Sequence, residues 1–160
     1  RNEKTDYRMR NEIFLVFSVK REIARAQFAI ETAAFSIMPD RAILFDAVPS
    51  ADFGDVRETA IGGKLGGGVV IAPADIGTIY DRELFAAAVD TAEKNIIRYQ
   101  YPTSASGAAG EGKTVHKTAS GIRTLSLGIP TRNLHSGAEI IQISDYEMTL
   151  ALAYALVSNP

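Results

Sequence analysis

The residues that could do chemistry lie far apart in the chain. His135, one of only two histidines, sits near the end of the segment Gly128-Ile129-Pro130-Thr131-Arg132-Asn133-Leu134-His135-Ser136, just beyond an apolar, strand-like run at 122–127. A loop at the end of a strand is where α/β proteins hold ligand groups, because the strand fixes its base while the loop is free to vary. A neutral imidazole there, with carboxylates brought from elsewhere, makes the donor set of a zinc-type site; a solvated loop histidine is the alternative. Asp46 closes a second apolar run, Arg41-Ala42-Ile43-Leu44-Phe45-Asp46, and Asp52 and Asp55 follow beside Gly54. A carboxylate at a strand end is either a turn cap or a ligand presented at the edge of a sheet. The chain has no cysteine, so an ion would rest on carboxylate, imidazole, carbonyl or water, which suits zinc, cobalt, manganese or magnesium.

Two other features carry less. Gly62-Gly63-Lys64-Leu65-Gly66-Gly67-Gly68 invites comparison with a phosphate loop, but it precedes the strand at 69–71 instead of following one and opening a helix. It reads as a flexible turn that permits close backbone approach. His116 falls in a short helical stretch at 115–120, ended by Gly121, and reads as a surface residue.

The elements that must position these groups alternate along the chain. Residues 13–19, Ile-Phe-Leu-Val-Phe-Ser-Val, read as a strand buried on both faces. A helix over 24–37, with Phe28, Ala29 and Thr32 on one face, stops before Pro39 and leads to the strand at 41–46. Strand, helix and strand predict a right-handed βαβ unit with parallel pairing. Asp81 is a candidate N-cap for a helix to residue 95 with an apolar stripe of Leu84, Phe85, Ala88, Val89 and Ala92. Residues 96–101 read as a strand and 103–112 as a mobile, glycine-rich loop. After the strand at 122–127, Pro130 is expected to stop sheet pairing. Ile140 and Ile143 flank Gln142 in an extended piece, and Ser144-Asp145-Tyr146-Glu147 matches a capping box opening a helix through 157. The pattern predicts an α/β fold, an α/β/α sandwich on a mostly parallel sheet.

At 160 residues and 46% hydrophobic, the chain is long enough for one domain with its own core, expected over 13–157 after an irregular start at 1–12. A net charge of −2 without a basic stripe argues against a nucleic-acid partner. No run has the length to cross a bilayer and no leader pattern opens the sequence. Absence of cysteine fits a cytoplasmic protein.

Read together, the segments resemble peptidase family M42, the dinuclear-metal aminopeptidases that include glutamyl and deblocking aminopeptidases and the tetrahedral, twelve-subunit peptidases; some relatives carry an endoglucanase label. The similarity rests on the segment from Gly128 to Ser136 with Glu139-Ile140-Ile141 and Ser144-Asp145, on Ala42 to Asp46 with Asp52, on Leu65 to Ile71, and on Phe17-Ser18-Val19-Lys20-Arg21-Glu22. It implies a zinc-exopeptidase-like fold and hydrolysis of N-terminal residues from short peptides by a metal-activated water, with zinc or cobalt, two per complete site. It further implies a homo-oligomer, with no membrane or nucleic-acid partner. Asp46, His135 and Glu22 would be metal ligands, and Glu111 and Arg132 would face the substrate.

The departures are as informative. Where the family has a general-base glutamate this chain has Arg21, whose guanidinium stays protonated and cannot accept a proton. A slip of one residue would make Glu22 the base and leave Ile23 at a ligand position. A threonine-aspartate-alanine segment corresponds to Gly110-Glu111-Gly112. An upstream histidine, a metal-bridging aspartate and a β-rich dimerisation insert have no counterpart, so the chain resembles the C-terminal half of such a catalytic domain. Three protein ligands and water suffice for a mononuclear catalytic zinc. The alternative is a degenerate, non-catalytic member acting in assembly or ligand binding.

Overall fold

A computed structural model of the chain describes residues 11–19, 28–50, 62–102 and 110–158. Their elements are α1 (Phe28–Ile37), β1 (Arg41–Pro49), β2 (Val69–Ala72), α2 (Arg82–Lys94), β3 (Tyr99–Gln100), α3 (Gly112–Val115), β4 (Arg123–Arg132), β5 (Ile140–Ile141) and α4 (Ile143–Ser158). The strands form one mixed sheet in the order β1-β4-β2-β3, with β5 on the far end of β4. Its longest pairing, β1 with β4 from Arg41 opposite Arg123 to Pro49 opposite Thr131, is parallel. β2 pairs β3 in parallel, whereas β2 and β5 both run antiparallel to β4.

Alternation along the strands separates two cores. Val69, Ile71, Leu125 and Leu127 point with Ile43 to one face, where α2 contributes Ala88 and Ala92 and α4 contributes Leu152. Ala42 and Leu44 point to the other, against Ile30 and Ala34 of α1 and Val115 and Ile122 around α3. The result is the expected α/β/α layering.

Several elements differ from expectation. Residues 13–19 belong to no strand, and Leu15 and Phe17 are 81% and 89% exposed. A strand apolar on both faces needs ladder partners and a layer on each side, and the described residues supply neither. The βαβ unit therefore lacks its first strand among the described residues, and the start of the expected helix, 24–27, lies outside them. In α1 the buried pair is Ile30 and Ala34, one turn apart, while Thr32 is exposed.

Pro130 does not end β4. Ser50 N–H donates to Thr131 C=O at 2.9 Å, so the alternate residues of β4 that include Thr131 serve β1. The imide nitrogen of Pro130 therefore points to the other edge. There β2 has stopped at Gly128 and β5 begins only at Thr131, so no ladder donor is missed.

The strand expected at 96–101 shrinks to Tyr99 and Gln100 because α2 ends in a Schellman motif. Ile97 N–H donates to Ala92 C=O and Ile96 N–H to Glu93 C=O, with Ile96 in left-handed backbone at φ 56°. Helix α4 starts at Ile143, so Ser144 lies inside its first turn and does not cap it. Its buried Asp145 has another task. The Asp145 carboxylate accepts from Gly66 N–H at 2.7 Å and Gly68 N–H at 2.9 Å. The Gln100 side chain grips the same loop through both Lys64 backbone groups and Gly68 C=O. The loop is thus held, not flexible. Close backbone approach is real, since a Cβ on Gly68 (φ 89°) would fall 2.0 Å from Arg98 C=O.

Candidate active site

Asp46 sits on β1 opposite Gly128, half-buried on the same face as Leu44. It meets groups that follow β2 and precede α3. A Cβ on Gly110 would lie 3.2 Å from Asp75 Oδ2, 3.6 Å from Asp46 Oδ2 and 3.6 Å from the Tyr80 hydroxyl, so three oxygens surround one point. Tyr80 O–H donates to Asp75 Oδ2 at 2.8 Å and Gly110 N–H donates to the same oxygen at 3.1 Å. The other oxygen, Asp75 Oδ1, accepts from Gly77 N–H at 2.7 Å in a local turn. Burial, then the bond to Asp75, hold the Tyr80 phenol well above its ordinary value, so it remains an O–H donor.

Glu111 follows Gly110 directly and stands at the start of α3, where its Oε1 accepts from Ser18 O–H at 2.8 Å. Asp46 thus reaches the cluster directly, and Glu111 is joined to it through the backbone of its neighbour Gly110. Arg132 ends β4, half-buried and paired in register with Ile140. His135 lies three residues further on in an exposed turn with φ 66°, its N–H donating to Glu139 Oε1 at 2.7 Å. Arg21, Glu22 and Asp52 lie outside the described residues, and so does most of the 103–112 loop, through residue 109. Among the described residues no three His, Asp or Glu side chains gather to hold an ion. They do not amount to a metal site by themselves.

His116 corrects the surface reading. Helix α3 covers Gly112–Val115, earlier than expected, and the half-buried His116 caps it with Nδ1 on Gly112 C=O. It also lines a shallow depression of about 310 Å³ with Asp81, Arg123 and Thr124. Arg123 there is already paired with Asp81 and Glu83, which leaves little net charge to attract a ligand. Asp75 and Tyr80 escape sequence reasoning: an aspartate two residues before a glycine signals only a turn, and nothing local links it to residue 110.

The family profile for M42 glutamyl aminopeptidase matches residues 2–152. The chain belongs to the M42 family. A candidate aminopeptidase of Acetivibrio thermocellus is 34% identical over 150 residues, covering 94% of this chain and 43% of that protein. Among solved structures, a TET aminopeptidase from a marine sediment archaeon superposes with a TM-score of 0.83 at 22% identity, over 89% of this chain and 39% of that one. A Pyrococcus horikoshii TET peptidase that can assemble into a tetrahedron or a large octahedral shell gives 0.68 at 28% identity, over 90% and 40%. This M42 chain thus spans under half the length of the relatives it matches. No helix of the described residues is long and apolar enough to cross a membrane.

Proposed function

We propose that the chain forms part of a metal-dependent aminopeptidase that removes N-terminal residues from short peptides. The observation that carries this reading is the meeting of Asp46 with Asp75, Tyr80 and the Gly110-Glu111 segment on one face of the sheet, in a chain of the M42 family. Asp46, His135 and Glu22 are the proposed ligands, an assignment supported by the resemblance and by the half-buried setting of Asp46. Zinc or cobalt, when bound, supplies a polarised carbonyl and a water acidic enough to ionise near neutral pH. The chain's own contributions are Glu111 and Arg132 facing the peptide, with Tyr80 holding its proton. Assembly into a homo-oligomer in the cytoplasm completes the proposal, supported by the assembling TET relative.

The metal content of the purified chain, after dialysis against trace zinc and cobalt, tests this directly. We expect about one or two ions per chain, lost in His135→Ala and Asp46→Ala, and metal-dependent release of amino acids from short peptides when a chain bearing the upstream histidine and aspartate is added. No bound metal and no release with any divalent ion would remove the catalytic reading.

Arg21 favours a second reading, a peptidase fold retained for assembly without turnover, because a guanidinium cannot take the proton of an attacking water. Arg21→Glu separates the two. Gain of turnover points to an impaired enzyme, and no change to a scaffold.

A further inference from the structure

Asp75 is heavily engaged beside the site. Its two oxygens take three donors from three places: Gly77 N–H in its own turn, the Tyr80 hydroxyl and Gly110 N–H across the cluster. The Tyr80 ring is 5% exposed. A Cβ on Gly112 would press to 2.8 Å from Tyr80 Cε1 and 2.9 Å from its hydroxyl, as one on Gly110 would press on Asp75 Oδ2 at 3.2 Å. Both neighbours of Glu111 are therefore fitted, by lacking a side chain, to the Asp75–Tyr80 pair. The ends of the peptide that carries Glu111 are fixed against a turn more than thirty residues earlier, with |i−j| of 35 for the Gly110 bond.

We infer that Asp75 and Tyr80 are positioning residues that hold the Gly110–Gly112 backbone so that Glu111 is presented beside Asp46. The inference rests on the aminopeptidase reading for what Glu111 does, but not for how it is held. In Tyr80 a permanently protonated phenol is the suitable partner, because Asp75 Oδ2 needs donors on both sides and a second acceptor there would push the loop away. The shared oxygen makes the clamp a single unit: replacing Oδ2 by an amide NH₂ sets a donor against two donors.

Asp75→Asn is the decisive variant, being isosteric, and amide hydrogen exchange followed by NMR is the first readout. The Gly110 or Gly77 amide, whichever loses its acceptor on amide rotation, should lose about tenfold or more in protection, while Leu125 and Leu127 in β4 keep theirs. Tyr80→Phe, which preserves the ring against Gly112, should loosen Gly110 by a smaller factor. With a chain bearing the upstream histidine and aspartate added, and with aminoacyl-anilide substrate and cobalt, both variants should lower kcat about tenfold with KM within about twofold, and Asp75→Asn should add little in a Glu111→Gln background. Unchanged exchange at Gly110 and Gly77 would overturn the inference. So would losses at Asp75 and Glu111 that multiply as independent sites. A wild-type chain without turnover under those same conditions would sink the peptidase reading alone, and the clamp would then stand or fall on the exchange rates.

Discussion

At the scale of single residues, Asp81 serves at once as a helix cap and as an ion-pair partner. It caps α2 by accepting Leu84 N–H at 2.9 Å and takes a forked pair of bonds from Arg123, both 2.9 Å. The Arg123 hydrogen bond above all, reinforced by the Leu84 amide against the opposing effect of burial, lowers its carboxyl from 3.8 to about 2. A carboxyl with a folded value below its unfolded one stabilises the fold fully above the unfolded value, and that stability is lost as pH falls through the folded one. The chain should therefore weaken between about pH 4 and pH 2. Asp81→Ala should remove much of that acid dependence and cost about 1 kcal/mol near neutral pH through the lost cap. Urea melts at pH 7, 4 and 2.5 read both effects, and a parallel loss of wild type and variant with acid would refute the assignment.

At the scale of elements, the end of α2 departs most plainly from good local chemistry. A β-branched residue in left-handed backbone is strained, and Ile96 is also 91% exposed, so its side chain returns little burial. Ile96→Gly should raise stability by about 0.5–1 kcal/mol, a few degrees in Tm, provided the Schellman bonds from Ile97 and position 96 persist. A lower melting temperature would mean that the isoleucine packs in a way the geometry does not reveal. The same helix illustrates what a sequence discloses. Its N-cap, its stripe of Leu84, Phe85, Ala88, Val89 and Ala92, and its length follow from local spacing and appear as read. The strand over 13–19 does not, because hydrophobic composition states a need for cover without stating whether the partners are at hand. Asp46 was legible as an acid on an apolar strand, but it does not close it: β1 runs on through Ala47 and Val48 to Pro49, paired with β4 all the way. The neighbouring Asp75 and Tyr80 were not legible, since a hydrogen bond across 35 residues leaves no periodic trace.

At the scale of the whole molecule, one buried carboxylate joins the loop before β2 to the last helix. Asp145 is 0% exposed and accepts two loop amides, so Asp145→Ala would strand both donors. The expected loss is on the order of 2–4 kcal/mol, or roughly 5–10 °C in Tm. Asp145→Asn, which retains one acceptor oxygen, should recover part of it. Differential scanning calorimetry of the pair checks the ranking, and equal melting of the two variants would show that the amides do not depend on the acceptor. The glycine loop resembles an anion cradle in sequence because it is one in structure, and its anion is supplied by the chain.

That carboxylate lies 77 residues beyond the loop it closes. During synthesis β2 and β3 leave the ribosome before Asp145 does, so the Gln100 contacts to Lys64 and Gly68 can form first. The Asp145 bonds are therefore the long-range part of loop closure, available once α4 packs Leu152 against Leu125 and Leu127. Until then the Gly66 and Gly68 amides lack the acceptor that the finished fold gives them.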